Sequence, residues 1–396
     1  MKMNFYVNKS DININNYYIA TYDIESTTNL NDAAWNIAIG QSVGNPNVRN
    51  SYETEELFKK HSCLILADNN ELLTKHSGTV EIAFPVCNTD FASDGINHLL
   101  CQLMGGHTDI NIIKSCRLVK LELPKSVTKH FHGPKFGIKG IRELTNQYNK
   151  PLLGSIIKPK IGLKPKLIVD IVSQLVDGGV NFIKEDEIMV NPNIAPLEKR
   201  VELISNYLSK NNIKIIYCHT INCDPHVLVD RVTKVSELGG NGVHINILSG
   251  LGCYNSIRKL DLNLFLHFQS SGSKIFTTGR YSIAWTVICQ LASLMGADTI
   301  QTGMIGGYSN DDTNEILECI KILHKGNTLP ALSCGMHPGL IEYVSNIVGN
   351  DYLANAGGSI HGHPYGTLSG ASAMRQAIDK KYSEEYYVAI ERWGKV

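Results

Sequence analysis

The chain of 396 residues has no excess charge of either sign: 37 lysines and arginines balance 37 aspartates and glutamates. It therefore lacks the basic field that would draw nucleic acid or an anionic membrane, and a small-molecule substrate is the expectation. Its ten cysteines, Cys63, Cys116, Cys218 and Cys334 among them, include no CxxC pair and are too sparse for a disulfide scaffold. That excludes the common zinc and redox motifs and predicts reduced thiols in a cytoplasmic protein, most of them buried as small apolar groups. Met1–Asn16 is polar and asparagine-rich, without the apolar core of a signal peptide, and no run elsewhere reaches the length of a membrane span. A soluble, non-exported protein is the expectation. No HxxxH spacing of metal-binding histidines occurs.

What the chain does have is regular alternation. Eight short β-rich runs, each closed by a polar or glycine cluster and followed by a helical stretch, fill residues 150 to 360. They are Leu152–Lys158, Asn181–Glu187, Lys214–His219, Gly242–Ile247, Leu264–Gln269, Asp298–Gly303, Pro330–Gly335 and Tyr352–Gly358. A spacing of roughly 25 to 35 residues between such runs predicts a (β/α)8 barrel of about 250 residues, with chemistry at the C-terminal ends of its strands. The expected fold class is α/β: a C-terminal barrel at 146–396 behind an N-terminal α+β, ferredoxin-like domain at 1–145. In that domain Tyr17–Tyr22, Cys63–Ala67, Thr79–Phe84 and Ser115–Leu123 read as strands, and Leu30–Gly40, Ile96–Met104 and Ile138–Gln147 as helices. Val127–Pro134 and Phe136–Gly140 read as linker, Glu53–Glu56 as a solvated helix face, Ser369–Lys380 as a closing helix opened by Ser369, and Tyr382–Val396 as a short tail packed through Trp393.

The strand ends carry the candidate chemistry. The second run ends Lys184-Glu185-Asp186-Glu187. Side chains alternate along a strand, so Lys184 and Asp186 share a face, and Glu187 can turn into the mouth, which together suggests a cation site. A charge run of this composition more often faces solvent, but the buried character of Val180–Ile183 ahead of it favours the site. The first run ends Lys158-Pro159-Lys160; a lysine held at a barrel mouth beside other cations could act as a base at carbon, and two surface lysines lying over apolar neighbours are the alternative. Ser333-Cys334-Gly335 and Ala356-Gly357-Gly358 end the seventh and eighth strands, where barrels build phosphate cradles from backbone N–H groups. Strands three, five and six supply His219, Gln269 and Gln301. His219 could reach the cavity as a hydrogen-bond partner; His267, two residues before its strand end, reads equally as a cavity group or as an inward-packed, satisfied histidine; His361-Gly-His363 has the look of a metal pair but reads better as a loop stabiliser.

These strings resemble the large chain of ribulose-bisphosphate carboxylase and its RuBisCO-like relatives: Gly154–Leu163 (GSIIKPKIGL), Gly178–Glu187 (GGVNFIKEDE), Ser333-Cys-Gly335, Gly357-Gly358 with Gly362-His-Pro364, and Gly133-Pro-Lys-Phe-Gly137. The resemblance implies that CO2 carbamylates Lys184, giving an anionic oxygen that joins Asp186 and Glu187 on Mg2+. Lys158 would then be the base or acid at the substrate carbon, Lys160 its electrostatic support, and Ser333, Gly335, Gly357 and Gly358 the phosphate site. It also implies a homodimer or higher homo-oligomer whose site borrows the partner's N-terminal domain.

The departures from the family are as informative. Gln269-Ser270 stands where the carboxylase has a histidine-arginine pair, Gln301 where it has a histidine, and Met304-Ile-Gly-Gly307 where it carries a mobile lysine. An N-terminal asparagine becomes a glycine near Gly106, and a glutamate is replaced near Gln41. The second phosphate site is largely dismantled, so a bisphosphate substrate is not expected; Lys274 or Arg280 could meet a different substrate end, although exposed loop charges are the commoner explanation for such residues. The reading that follows is a RuBisCO-like, Mg2+-dependent enzyme that enolises or isomerises a phosphorylated keto-sugar or keto-acid through an enediolate. Alternatives are a decarboxylase, transcarboxylase or hydrolase of a phosphorylated branched keto-acid, a true carboxylase, and a non-catalytic metabolite-binding barrel.

Overall fold

The alternation of short apolar strands with amphipathic helices is realised along the chain. The structure, a computed structural model, describes residues 5–45, 51–67, 69–309 and 311–396, so Met1–Asn4 of the polar N-terminal stretch lie outside the described residues. In chain order the strands are β1 (Tyr17–Ser26), β2 (Leu64–Ile65), β3 (Ser77–Pro85), β4 (Ile113–Glu122), β5 (Leu152–Ile156), β6 (Phe182–Lys184), β7 (Ile216–Thr220), β8 (Gly242–Asn246), β9 (Phe265–Gln269), β10 (Tyr281–Ile283), β11 (Thr299–Gly303), β12 (Leu329–Leu332) and β13 (Leu353–Ala356). They group into two compact units, Met1–Phe131 with Gly272–Leu291, and His132–Ser271 with Ala292–Val396.

The first unit is a five-stranded sheet ordered β10-β4-β1-β3-β2, antiparallel except for the β10–β4 pair. Tyr18 of β1 stacks on Phe84 of β3 with ring centroids 5.2 Å apart. The helix Leu30–Gly40 begins where Asn29 Oδ1 accepts from the Asp32 N–H at 2.9 Å, and it buries Ala33, Ala34, Ile37 and Ala38. The stretch read as a solvated helix face opens an exposed helix, Glu55–His61, capped by Thr54. Gln41 and Gly106 lie side by side: a Cβ at position 106 would fall 2.0 Å from the Gln41 side-chain amide, so a larger residue there would displace that side chain.

The second unit is a closed, all-parallel barrel ordered β11-β12-β13-β5-β6-β7-β8-β9, and each of the eight predicted runs supplies one strand. The helix Pro165–Asp177 shows why the intervening stretches coil: proline opens its first turn, and Ile168, Val172 and Leu175 recur at helical spacing on its buried face. Leu152, Phe182, Ile216, Phe265, Leu329 and Leu353 begin their strands and converge with Ile141 of the helix Gly137–Thr145 in one apolar cluster. Burying each such side chain contributes about 1.5–3 kcal/mol. This plug closes the N-terminal end of the barrel and leaves the C-terminal end as the open one.

Three local expectations are corrected. Phe136–Gly140, read as linker, runs into the helix Gly137–Thr145. The closing helix is Thr367–Asp379 and starts after Gly366, not at Ser369. Tyr382–Val396 is not a tail but mostly a helix, Glu384–Trp393, which buries Tyr386 and Ala389. The cysteines are all free and six of the ten are buried. Among the described residues no helix is long and apolar enough to cross a membrane.

Candidate functional site

Register decides which side chains reach the open end. Lys184 of β6 pairs with Ile156 of β5 and with Cys218 of β7, which turns Lys184 inward. Beyond the last paired residue the chain turns over the rim, so Asp186 and Glu187 also line the mouth cavity of roughly 490 Å3, together with Lys158 and Lys160. All the residues lining this cavity belong to the second unit.

Lys158 Nζ lies 2.8 Å from Asp186 Oδ2, and Lys160 Nζ lies 4.0 Å from the same oxygen. Lys184 is fully buried; its Nζ donates to the Glu185 carbonyl at 3.1 Å and sits 3.6 Å from Glu187 Oε2. Burial lowers the Lys184 pKa; the Glu187 and Asp186 carboxylates oppose the shift without cancelling it, and the charge on Lys158 adds to it. A lowered pKa raises the share of the neutral, nucleophilic amine. Burial tends to raise the Glu187 carboxyl, but the Lys184 charge and the Ser271 hydrogen bond outweigh it and hold the group ionised.

The donor set suits a hard cation. Asp186 Oδ1 is buried and accepts no hydrogen bond, while Oδ2 and Glu187 Oε2 face the two lysines. Carboxylate oxygens at a barrel mouth fit Mg2+ better than a softer metal. Among the described residues no group of three or more His, Cys, Asp and Glu side chains converges on one point. Asp186 and Glu187 are the carboxylates here that could hold such an ion, and the Lys184 amine lies 3.6 Å from Glu187 Oε2.

The other sequence candidates divide. Gln269, Gln301, Ser333, Gly335, Gly357 and Gly358 all line the cavity. Gln269 and Gln301 are buried, and the Oε1 of each lacks a hydrogen bond. His219 does not reach the cavity. It alternates with the inward-facing Cys218, so its Nδ1 meets Glu185 Oε1 at 3.2 Å on the outer side of the barrel. His267 is inward and buried as expected but not satisfied: neither ring nitrogen makes a hydrogen bond, and the same holds for His244, 6.1 Å away between ring centroids. Burial, with the charge on Lys184 adding to it, holds both histidines well below the usual imidazole range and so neutral. His361 Nε2 meets the Ile156 carbonyl at 2.9 Å and His363 Nε2 the Glu385 carbonyl at 2.9 Å, both loop-stabilising contacts.

Several lining residues were not singled out from sequence: Ser271, Tyr308, Met336, His337, Asn355 and Ser359. Trp393, marked only as a tail anchor, lines the cavity too. Asn355 is the most telling, because it is 1% exposed and neither its Oδ1 nor its Nδ2 has a partner. Its place two residues before Gly357 on an inward strand position was the available signal. The loop after β11 buries Met304 and Ile305 and packs Gly307 so closely on Cys334 that a Cβ there would lie 2.3 Å from the Cys334 carbonyl oxygen. It brings an exposed Tyr308, and no lysine, to the mouth.

Comparison with known proteins agrees with this geometry. The family model for the ribulose bisphosphate carboxylase large chain, catalytic domain, matches residues 137–393. The chain is 28% identical over 407 residues to the ribulose bisphosphate carboxylase of Archaeoglobus fulgidus, covering 93% of this chain and 91% of that one. It is also 28% identical over 402 residues to the 2,3-diketo-5-methylthiopentyl-1-phosphate enolase of Exiguobacterium sibiricum, covering 96% and 99%. Among solved structures, the octameric ribulose-1,5-bisphosphate carboxylase/oxygenase of Pyrococcus horikoshii OT3 aligns with a TM-score of 0.89 at 25% identity, covering 98% of this chain and 96% of that one.

Proposed function

The chain belongs to the ribulose bisphosphate carboxylase large-chain family, and on that premise we propose that it is a RuBisCO-like enzyme that enolises or isomerises a phosphorylated keto-sugar or keto-acid without fixing CO2. The observation that carries this reading is the cluster at the barrel mouth, with Lys158 Nζ 2.8 Å from Asp186 Oδ2 above a buried Lys184 that is 3.6 Å from Glu187. Proton abstraction beside a carbonyl needs a group to take the proton and a positive centre to hold the developing oxyanion. Lys158 would serve the first task as the free amine, once a cation bound to Asp186 takes the place of their ion pair, and Lys160 would add positive charge beside it. Mg2+ held by Asp186, Glu187 and a carbamylated Lys184 would supply the second, polarising the substrate carbonyl.

Ser333, Gly335, Gly357 and Gly358 line the same cavity and would bind one phosphate through the Ser333 hydroxyl and backbone N–H groups. At the ends of β9 and β11 the neutral amides of Gln269 and Gln301 offer no cation to a second phosphate, which favours a monophosphate. Relatives named as a carboxylase and as an enolase match equally well in identity, so the choice between them rests on these amides and on the Met304–Gly307 loop, which carries no lysine. A homo-oligomer is in keeping with the octameric relative.

Two assays test the proposal together. Ribulose bisphosphate with labelled bicarbonate is expected to give no acid-stable label, while a panel of phosphorylated ketones and keto-acids, followed by proton NMR with Mg2+, is expected to contain one that isomerises. Label fixed from bicarbonate, with no isomerisation across the panel, overturns it.

A further inference from the structure

Glu187 is held at both ends of its own residue by groups from other strands. Its Oε1 accepts from Ser271 Oγ at 2.6 Å, and Ser271 Oγ accepts in turn from Gln269 Nε2 at 2.7 Å; the same amide nitrogen lies 3.2 Å from Glu187 Oε2. The Ser271 carbonyl accepts from Asn246 Nδ2 at 2.9 Å, and the Asn246 N–H donates to Asn222 Oδ1 at 2.7 Å. Asn222 Nδ2 then donates to the Glu187 carbonyl at 2.7 Å. The path leaves Glu187 through its backbone, passes the ends of β7, β8 and β9, and returns to the same residue through its carboxylate.

Such a closed ring does something that a single hydrogen bond does not. It fixes the carboxylate relative to its own backbone, so the flexible glutamate side chain is ordered before any ligand arrives. It also makes the two carboxylate oxygens inequivalent: Oε1 is taken by the serine hydroxyl at 2.6 Å, while Oε2 has only the longer Gln269 contact at 3.2 Å and is the oxygen 3.6 Å from Lys184 Nζ. We propose that Ser271, braced by Asn246, is a positioning residue that presents Glu187 Oε2 to a divalent cation shared with Asp186 and a carbamylated Lys184. The inference rests on the cation site of the preceding section and adds to it the residue that orients one of its ligands. Carboxylates that ligate metals are commonly oriented by hydrogen bonds from a surrounding layer of residues, and losing such a partner typically weakens metal affinity about 10- to 100-fold.

The experiment is a Mn2+ titration in bicarbonate buffer, with free Mn2+ read by electron paramagnetic resonance, on wild type, Ser271→Ala, Ser271→Thr and Lys184→Met. Thermal melts without metal control for folding. The expected result is tight binding by wild type, its loss in Lys184→Met, weakening by about tenfold or more in Ser271→Ala, recovery in Ser271→Thr, and metal-free melts that coincide. Wild-type affinity in Ser271→Ala overturns the positioning role while leaving the cation site intact, and so does a Ser271→Thr protein that folds like wild type but binds no better than Ser271→Ala. Absence of Lys184-dependent Mn2+ binding in wild type overturns the cation site itself, and the positioning role with it.

Discussion

Just past β6, Glu185 and Asp186 point to opposite sides of the same chain and meet opposite fates. Glu185, on the outer side, is fully buried, and both of its oxygens are engaged: Arg200 donates Nε to Oε1 at 2.7 Å and Nη2 to Oε2 at 2.9 Å, Tyr217 donates to Oε1 at 3.2 Å, and the Thr220 N–H donates to Oε2 at 3.0 Å. Arg200 also donates to the Ala195 and Val190 carbonyls. Asp186, on the inner side, is as deeply buried, yet its Oδ1 has no hydrogen-bond partner and its Oδ2 faces only lysines. A buried carboxylate with all its acceptors engaged is a brace; one with an acceptor left open, beside a buried lysine in a cavity, is poised for a ligand. Neighbouring acids in one string thus divide into structure and chemistry, and the parity of the strand makes the division.

That division can be broken from either side. The largest effect is expected inside: Lys184→Met keeps the length of the side chain but removes the amine, and catalysed exchange should fall about a thousandfold or more, whereas Lys158→Met should cost about 10²- to 10⁴-fold as the loss of an acid–base group. Both should be read from initial rates, with far-UV circular dichroism unchanged. On the outer side Arg200→Met strands the buried Glu185 charge and should cost about 3–5 kcal/mol in urea unfolding. Its damage should track stability; a variant that unfolds at the wild-type midpoint would contradict the brace.

The pH dependence sharpens the contrast. Burial alone would raise the Glu185 carboxyl, but the Arg200 guanidinium and His219 reverse this and bring it down to about 2. A folded value below the unfolded one means that the stabilisation is fully present above the unfolded range, near pH 4.3, and drains away as pH falls toward 2. Subtracting the Glu185→Gln stability curve from that of wild type should isolate a loss between those limits; a flat difference would contradict the assignment. Smaller still, Ser333→Ala removes one hydroxyl from the proposed phosphate cradle and should raise KM about 3- to 10-fold with little change in kcat.

Sequence made the barrel legible because each inward run is short, apolar and bounded, and it marked Lys158, Lys184, Asp186 and Glu187 because ionisable residues are rare at the ends of buried strands. The misplaced residue, His219, needed something the sequence does not carry: the register of β7 against β6, where Lys184 pairs with Cys218 and sends the next side chain outward to Glu185. The polar ring through Asn222, Asn246 and Ser271 was invisible for the same reason, since Asn222 and Ser271 are ordinary loop residues and Asn246 an ordinary strand end until three strand ends are aligned. β10 escaped because Tyr281–Ile283 is three residues long and earns its strand character only by pairing with the distant β4. The helical state of Glu384–Trp393 was missed because its apolar face is narrow, so nothing in composition set it apart from a tail.

The most direct test of the account is solvent deuterium incorporation at the carbon beside the carbonyl of a phosphorylated ketone, measured for wild type with Mg2+ and bicarbonate, for the same protein after chelation, and for Lys184→Met and Lys158→Met. The account predicts exchange at the full rate in the first sample alone, for at least one ketone of the panel, and slower by about a hundredfold or more in each of the others. Equal exchange in the wild type and in folded Lys184→Met would contradict it.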